Sequence, residues 1–173
     1  MDSGGSARPW HQWLRIAALT SGVGAIAWTI LMILPFSPFS SIPPIIVGGG
    51  PGTWLVLGYL LYLVTGFGGL SALSVLLYPL ESGGRRPVGW VMAFGVCLYY
   101  AGSSIACWLL GIAGYAGGYA FSIQRLSNPS IQSILAPYLD PVTLAALAAC
   151  AGAALMLGGI YSAGRASSVP TSR

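Results

Sequence analysis

Four long apolar runs dominate this chain, at about residues 13–35, 53–79, 88–115 and 141–161. Each holds at least the roughly 20 residues needed to cross about 30 Å of hydrocarbon. The apolar residues come in continuous blocks, not in the one-sided stripes of a water-soluble helix. Composition agrees. Of 173 residues, 55% are hydrophobic and 6% charged, and the mean hydropathy is +0.78. A soluble domain carries about 25% charged residues, and a surface with so few charges does not stay dispersed in water. The expected fold is all-α: one domain over residues 1–173, a polytopic four-helix transmembrane bundle.

The limits of the runs carry their own signals. Pro35-Phe36-Ser37-Pro38 ends the first, because proline cannot continue a helix. That run is too long for a signal-peptide core and has no small-residue cleavage site after it, so it reads as an uncleaved span. Gly49-Gly50-Pro51-Gly52 introduces the second and Arg85-Arg86-Pro87 the third. Asp140-Pro141 opens the fourth, with Asp140 as the expected cap and Pro141 at the first helical position. Trp10, Trp13, Trp54, Tyr78, Trp90, Tyr115, Tyr119 and Tyr161 bracket the spans at headgroup level, while Trp28 and Trp108 lie deeper and read as packing residues.

Orientation follows from arginine. With four spans, Arg8, Arg15, Arg85, Arg86, Arg165 and Arg173 share one side, and only Arg125 lies on the other. This bias expects both termini in the cytoplasm, in a plasma membrane. Spans two and three then form an antiparallel hairpin across a short inner connection. The outer connection from about 117 to 139 is long, and a short interfacial helix is expected after Asn128-Pro129.

Helices in lipid associate through small residues. Span three carries such residues at spacings of three and four: Cys97, Tyr100, Ser104, Cys107, Gly111, Gly114 and Gly118. Span two offers Gly58, Tyr62, Thr65, Gly69 and Ala72. Span four offers Ala145-xxx-Ala149 and Ala148-xxx-Gly152. These are the candidate contacts, between spans or with a partner subunit.

The chain is poor in chemistry-bearing residues. No ionisable residue falls in the centre of a span, which argues against ion or proton coupling. His11, the sole histidine, reads as a solvated interfacial residue, and haem or copper would need several such ligands. Glu81 reads as a surface ion pair with Arg85 and Arg86. Cys97, Cys107 and Cys150 form no CxxC motif. Cys97 and Cys107 stand about 15 Å apart along one helix, too far for a disulfide. No phosphate-binding loop is present, and no basic run suggests nucleic acid. No catalytic, cofactor-binding or metal-ligating residue is assigned. The most polar zone within a span is Tyr99, Tyr100, Ser103, Ser104 and Cys107. Its hydroxyls must bond to neighbouring helices or meet a partner's cofactor.

Gly52-Thr53-Trp54-Leu55-Val56-Leu57-Gly58-Tyr59-Leu60-Leu61-Tyr62, followed by Gly66-Phe67-Gly68-Gly69, resembles the opening of a span in small four-helix archaeal membrane proteins associated with haem-copper oxidases. The resemblance covers about 20 of the 173 residues. It implies an accessory, non-catalytic respiratory subunit, since the histidines that ligate metal in the main subunit are missing here. The expected function is thus a non-catalytic membrane subunit or scaffold, with the lipid bilayer and other membrane subunits as partners. The alternative is a small carrier or channel for a neutral or apolar solute; no pair of broken helices in matching positions is apparent, although Gly66-Phe67-Gly68-Gly69 would loosen span two. A third reading, an enzyme working on lipid or quinone through its tyrosines and a partner's cofactor, rests on Tyr100.

Overall fold

The computed structural model describes residues 9–34 and 42–165. The Pro35-Phe36-Ser37-Pro38 stop, Arg8 and Arg173 lie outside them. All regular structure among the described residues is helical. The elements are α1 (Trp10–Ile33), α2 (Ile42–Val47), α3 (Thr53–Leu61), α4 (Leu70–Ser82), α5 (Gly89–Ser122) and α6 (Asn128–Arg165). A 3₁₀ turn at Gly50–Gly52 leads into α3, and a π-helical segment, Tyr62–Gly69, joins α3 to α4. Four stretches are long and apolar enough to cross a membrane: Trp10–Ile33, Gly50–Ser82, Gly89–Ser122 and Asn128–Arg165. The protein is a multi-pass membrane protein of four apolar helices.

Two expectations are corrected here. Asp140-Pro141 does not begin a helix, because α6 runs through it from Asn128 and also contains Pro137. The helix begins instead at Asn128-Pro129, where the missing proline N–H costs nothing. Each internal proline removes one hydrogen bond and bends the axis, whereas ending the helix would free several backbone groups at once. The long connection expected between spans three and four accordingly shrinks to residues 123–127, and the short helix expected after Asn128-Pro129 is the first part of α6. Its turn is closed by Leu126 N–H bonding to Ala120 O at 3.0 Å. The glycine-rich stretch before span two forms a hydrogen-bonded turn. Gly49 and Gly50 take φ of 70° and 56°, which glycine adopts without steric cost. Gly48 N–H bonds to Pro44 O at 2.9 Å.

α5 is the central helix. Along one stretch it meets α6 backbone to backbone. A Cβ on Gly102 would lie 2.6 Å from Ala145 O and from Ala149 N, and one on Gly152 would lie 2.7 Å from Gly95 O. Further along, α5 meets α3: a Cβ on Gly58 would lie 2.7 Å from Cys107 O and 2.9 Å from Gly111 N, and one on Gly114 would strike Leu55 N. Such approach is what small residues allow where lipid gives no hydrophobic drive between helices. α1 lies against α4 and the π segment. One core joins Leu14 and Ala18 of α1 to Leu70, Leu77, Met92 and Met156. A second joins Ala25 and Trp28 to Ile42, Leu55, Tyr62 and Cys107.

The π segment explains which face of span two is buried. Gly58, Tyr62, Gly66, Leu70 and Ser74 are all buried, each four residues after the last. In an α-helix a four-residue step overshoots a full turn by about 40°, so four steps would rotate the face by about 160°. The wider π turn absorbs that drift. Ala72, expected on this face from a spacing of three, is exposed for the same reason.

Candidate functional site

Three features lie outside ordinary helix packing. The first is at the start of α1. Pro9 supplies no side-chain cap, leaving the first N–H groups of the helix without partners. Glu81, in the last turn of α4, fills the position. Its Oε1 accepts from Trp10 N at 2.8 Å and its Oε2 from His11 N at 3.0 Å. Its Oε2 also lies 2.6 Å from His11 Nδ1, with the two side chains 5% and 13% exposed. A carboxylate only accepts, so Nδ1 carries the proton of this bond. A carboxylate here also complements the helix dipole. Ser74 Oγ donates to His11 O at 2.8 Å, and Tyr78 meets the imidazole edge-on at 5.3 Å. This corrects the surface readings of both residues. Glu81 faces α1 and not the exposed Arg85 and Arg86, and His11 is held rather than solvated. Sequence reasoning missed the pairing because 70 residues separate the partners; an uncapped helix start was the only available signal.

The second feature is the π segment and the polar groups around it. Tyr99 OH donates to Thr65 O at 2.8 Å, supplying a partner to a backbone carbonyl in an interrupted helix. Gly69 is the small residue that admits the Tyr99 hydroxyl. A Cβ on Gly66 would lie 3.2 Å from Ser21 Oγ, which is fully buried. Ser103 Oγ donates to Tyr100 O at 3.3 Å, whereas Ser104 Oγ is buried without a partner. The mid-span hydroxyls expected to need partners thus divide: Tyr99 and Ser103 bond to backbone carbonyls, Ser104 does not bond.

The third feature is aromatic. Trp28 stacks on Trp108 with ring centroids 4.4 Å apart, and Tyr62 lies 5.9 Å from Trp28. Thr29 Oγ1 and Tyr59 OH share a hydrogen bond of 2.7 Å. Beside the stack is a cavity of about 310 Å³, lined by Trp28, Met32, Ile42, Leu55, Trp108 and Tyr115. Its walls are suited to an apolar occupant and offer nothing to a charged one.

The residues singled out from sequence on spans two and three do not form one seam. Cys97 is exposed and borders a groove between α1 and α5, where half-buried Tyr100 also lies. Cys107, Gly111, Gly114, Gly118 and Gly58 are buried where α5 meets α3, the turn before it and α1. Gly111 faces Trp28 and Gly118 faces Gly52 and Ile45. Gly69 faces Tyr99. The face of α5 toward α6 uses other residues, Gly95 and Gly102, whose seven-residue spacing is matched by Gly152 and Gly159 on α6.

One face of α6 is unused. Ala146, Cys150, Ala154 and Gly158, four apart, are all exposed, and a Cβ on Gly158 would meet nothing within 4 Å. Next to this stripe is an open groove of about 650 Å³ lined by Val88, Val91, Phe94, Leu98, Ala151 and Gly158. Among the described residues no three His, Cys, Asp or Glu side chains gather into a metal-binding group. The chain matches no protein-family model, and neither the curated proteins nor the solved structures searched give a match.

Proposed function

We propose that this chain is a non-catalytic integral membrane subunit or scaffold of a larger membrane complex. The carrying observation is the exposed face of α6, where Ala146, Cys150, Ala154 and Gly158 present a small-xxx-small stripe toward lipid. Within the chain, stripes of this kind are where helices meet backbone to backbone, as Gly102 meets Ala145 and Ala149. A lipid-facing stripe with the same spacing suits a helix of a partner subunit. The resemblance around Gly52–Tyr62 makes the partner an oxidase-type respiratory complex, with this chain as accessory subunit.

The topology proposed is an antiparallel bundle in the plasma membrane with both termini in the cytoplasm. The arginine distribution supports the orientation. The pairing of Gly95 with Met156, and of the later Gly102 with the earlier Ala149 and Ala145, supports the antiparallel course. The test is purification from the source membrane in mild detergent, with co-purifying chains identified by mass. Stoichiometric recovery with respiratory subunits supports the reading; recovery alone overturns it.

A second reading has its own observation. The π-helical interruption of span two and the apolar cavity beside Trp28 and Trp108 suit a small carrier for a neutral or apolar solute. Saturable solute flux into proteoliposomes containing this chain alone would favour it.

A further inference from the structure

Span two is continuous in sequence but divided in its packing. α3 belongs with α5, through Gly58 against Cys107 and Gly111 and through Leu55 against Gly114. α4 lies chiefly with α1: Ser74 bonds to His11 O, Glu81 holds the first N–H groups of α1, and Leu70 and Leu77 pack with Leu14 and Ala18 in a core whose other side is Met92 of α5 and Met156 of α6. The backbones of α3 and α1 come close at few points, and so do those of α4 and α5. The joint between the two pairings is Tyr62–Gly69, with glycine at 66, 68 and 69. π-helical segments are rare and concentrate at functional sites, and glycines there remove the side chains that would stiffen it.

The surroundings of the joint allow movement. Alongside, α1 and α5 leave a groove of about 400 Å³ bordered by Ile16, Thr20, Ala93, Val96, Cys97 and Tyr100. At the far end of the groove α1 is held by Trp28 stacked on Trp108, level with Tyr62. The carbonyl of Thr65 is held by one side chain, Tyr99.

We infer that α1 and α4 form one arm, clasped by Glu81, that swings about the π segment and the Trp28–Trp108 stack against α5 and α6, widening and narrowing the α1–α5 groove toward the bilayer. This is a hinge motion of the kind that occurs in microseconds to milliseconds. It stands apart from the scaffold reading, and a scaffold or a carrier could use it.

The experiment is hydrogen exchange on the full chain in lipid nanodiscs, with a distance measurement beside it. Amides of Tyr62–Leu70 are expected to exchange at least about tenfold faster than those of Gly102–Gly111 in α5. Gly68→Ala is the informative variant, because its Cβ would meet only Leu63 O at 3.6 Å, an ordinary contact. It should fold and slow that exchange severalfold, while Tyr99→Phe should speed it. Spin labels at Thr20→Cys and Ala93→Cys, with Cys97 and Cys150 changed to Ser, should give a broad or two-peaked distance distribution that Gly68→Ala narrows. Exchange in Tyr62–Leu70 as slow as in α5 would overturn the hinge. So would a single narrow distance that Gly68→Ala leaves unchanged.

Discussion

His11 Nδ1 and Glu81 Oε2 lie 2.6 Å apart, and the same carboxylate receives the N–H groups of Trp10 and His11. One acid therefore closes the exposed start of α1 and ties it to the end of α4. Glu81→Ala removes the acceptor from three donors in a site where the glutamate is 5% exposed. The expected loss is about 2–4 kcal/mol. Glu81→Gln keeps one acceptor oxygen and should lose less. Unfolding of each variant in a detergent series, with limited proteolysis near Trp10, would check the order Ala worse than Gln.

The contact between α5 and α6 rests on the absence of side chains. Gly102→Leu would drive a side chain into Ala145 O and Ala149 N. Since both obstacles are backbone, the helices must separate, and the expected cost is about 3 kcal/mol or more. Leucine at Gly158, which faces nothing within 4 Å, should leave the isolated chain as stable as before. Comparing the two midpoints of unfolding would test the assignment of faces.

Gly158→Leu also tests the partner proposal. The variant should fold yet no longer co-purify with its complex. Cys150 provides a second readout: it is exposed in the chain alone. A membrane-permeant thiol reagent should label it in the purified chain and label it poorly in native membranes, while buried Cys107 stays unlabelled in both. Equal labelling of Cys150 in both settings would count against a partner on this face.

Tyr99 OH is the side-chain partner of the Thr65 carbonyl in the π segment. Tyr99→Phe keeps the ring and removes the donor, so about 1 kcal/mol of stability should be lost, in line with hydrogen bonds between membrane helices. A loss near zero would mean that the Thr65 carbonyl finds another donor.

Trp28 is 4% exposed and contacts Trp108, Tyr62 and Tyr59. Trp28→Ala should lower stability by about 3 kcal/mol and enlarge the cavity it borders. Trp28→Phe should recover much of the loss, which thermal unfolding in detergent would show.

The sequence by itself determined the class of this protein. Four apolar runs of sufficient length leave a chain no stable state in water, and arginine placement gives an orientation to propose, because both depend on composition along the chain and not on folding. Sequence also marked Gly111, Gly114 and Gly118 as small positions on one helix face, since periodicity along a single helix is a local property. Tertiary structure decided the rest. Which of two glycine faces on α5 meets α6 depends on where the other helices lie. The burial of Gly66, Leu70 and Ser74 in one line depends on a π turn that no spacing of three and four foretells. The continuous α6 through Pro137 and Pro141 reflects the cost of freeing a whole set of backbone groups, which outweighs single lost hydrogen bonds. The pairing of His11 with Glu81 is the clearest case: a polar group near a membrane takes its role from whichever unpaired donors the fold brings to it, and here those donors come from the far end of another helix.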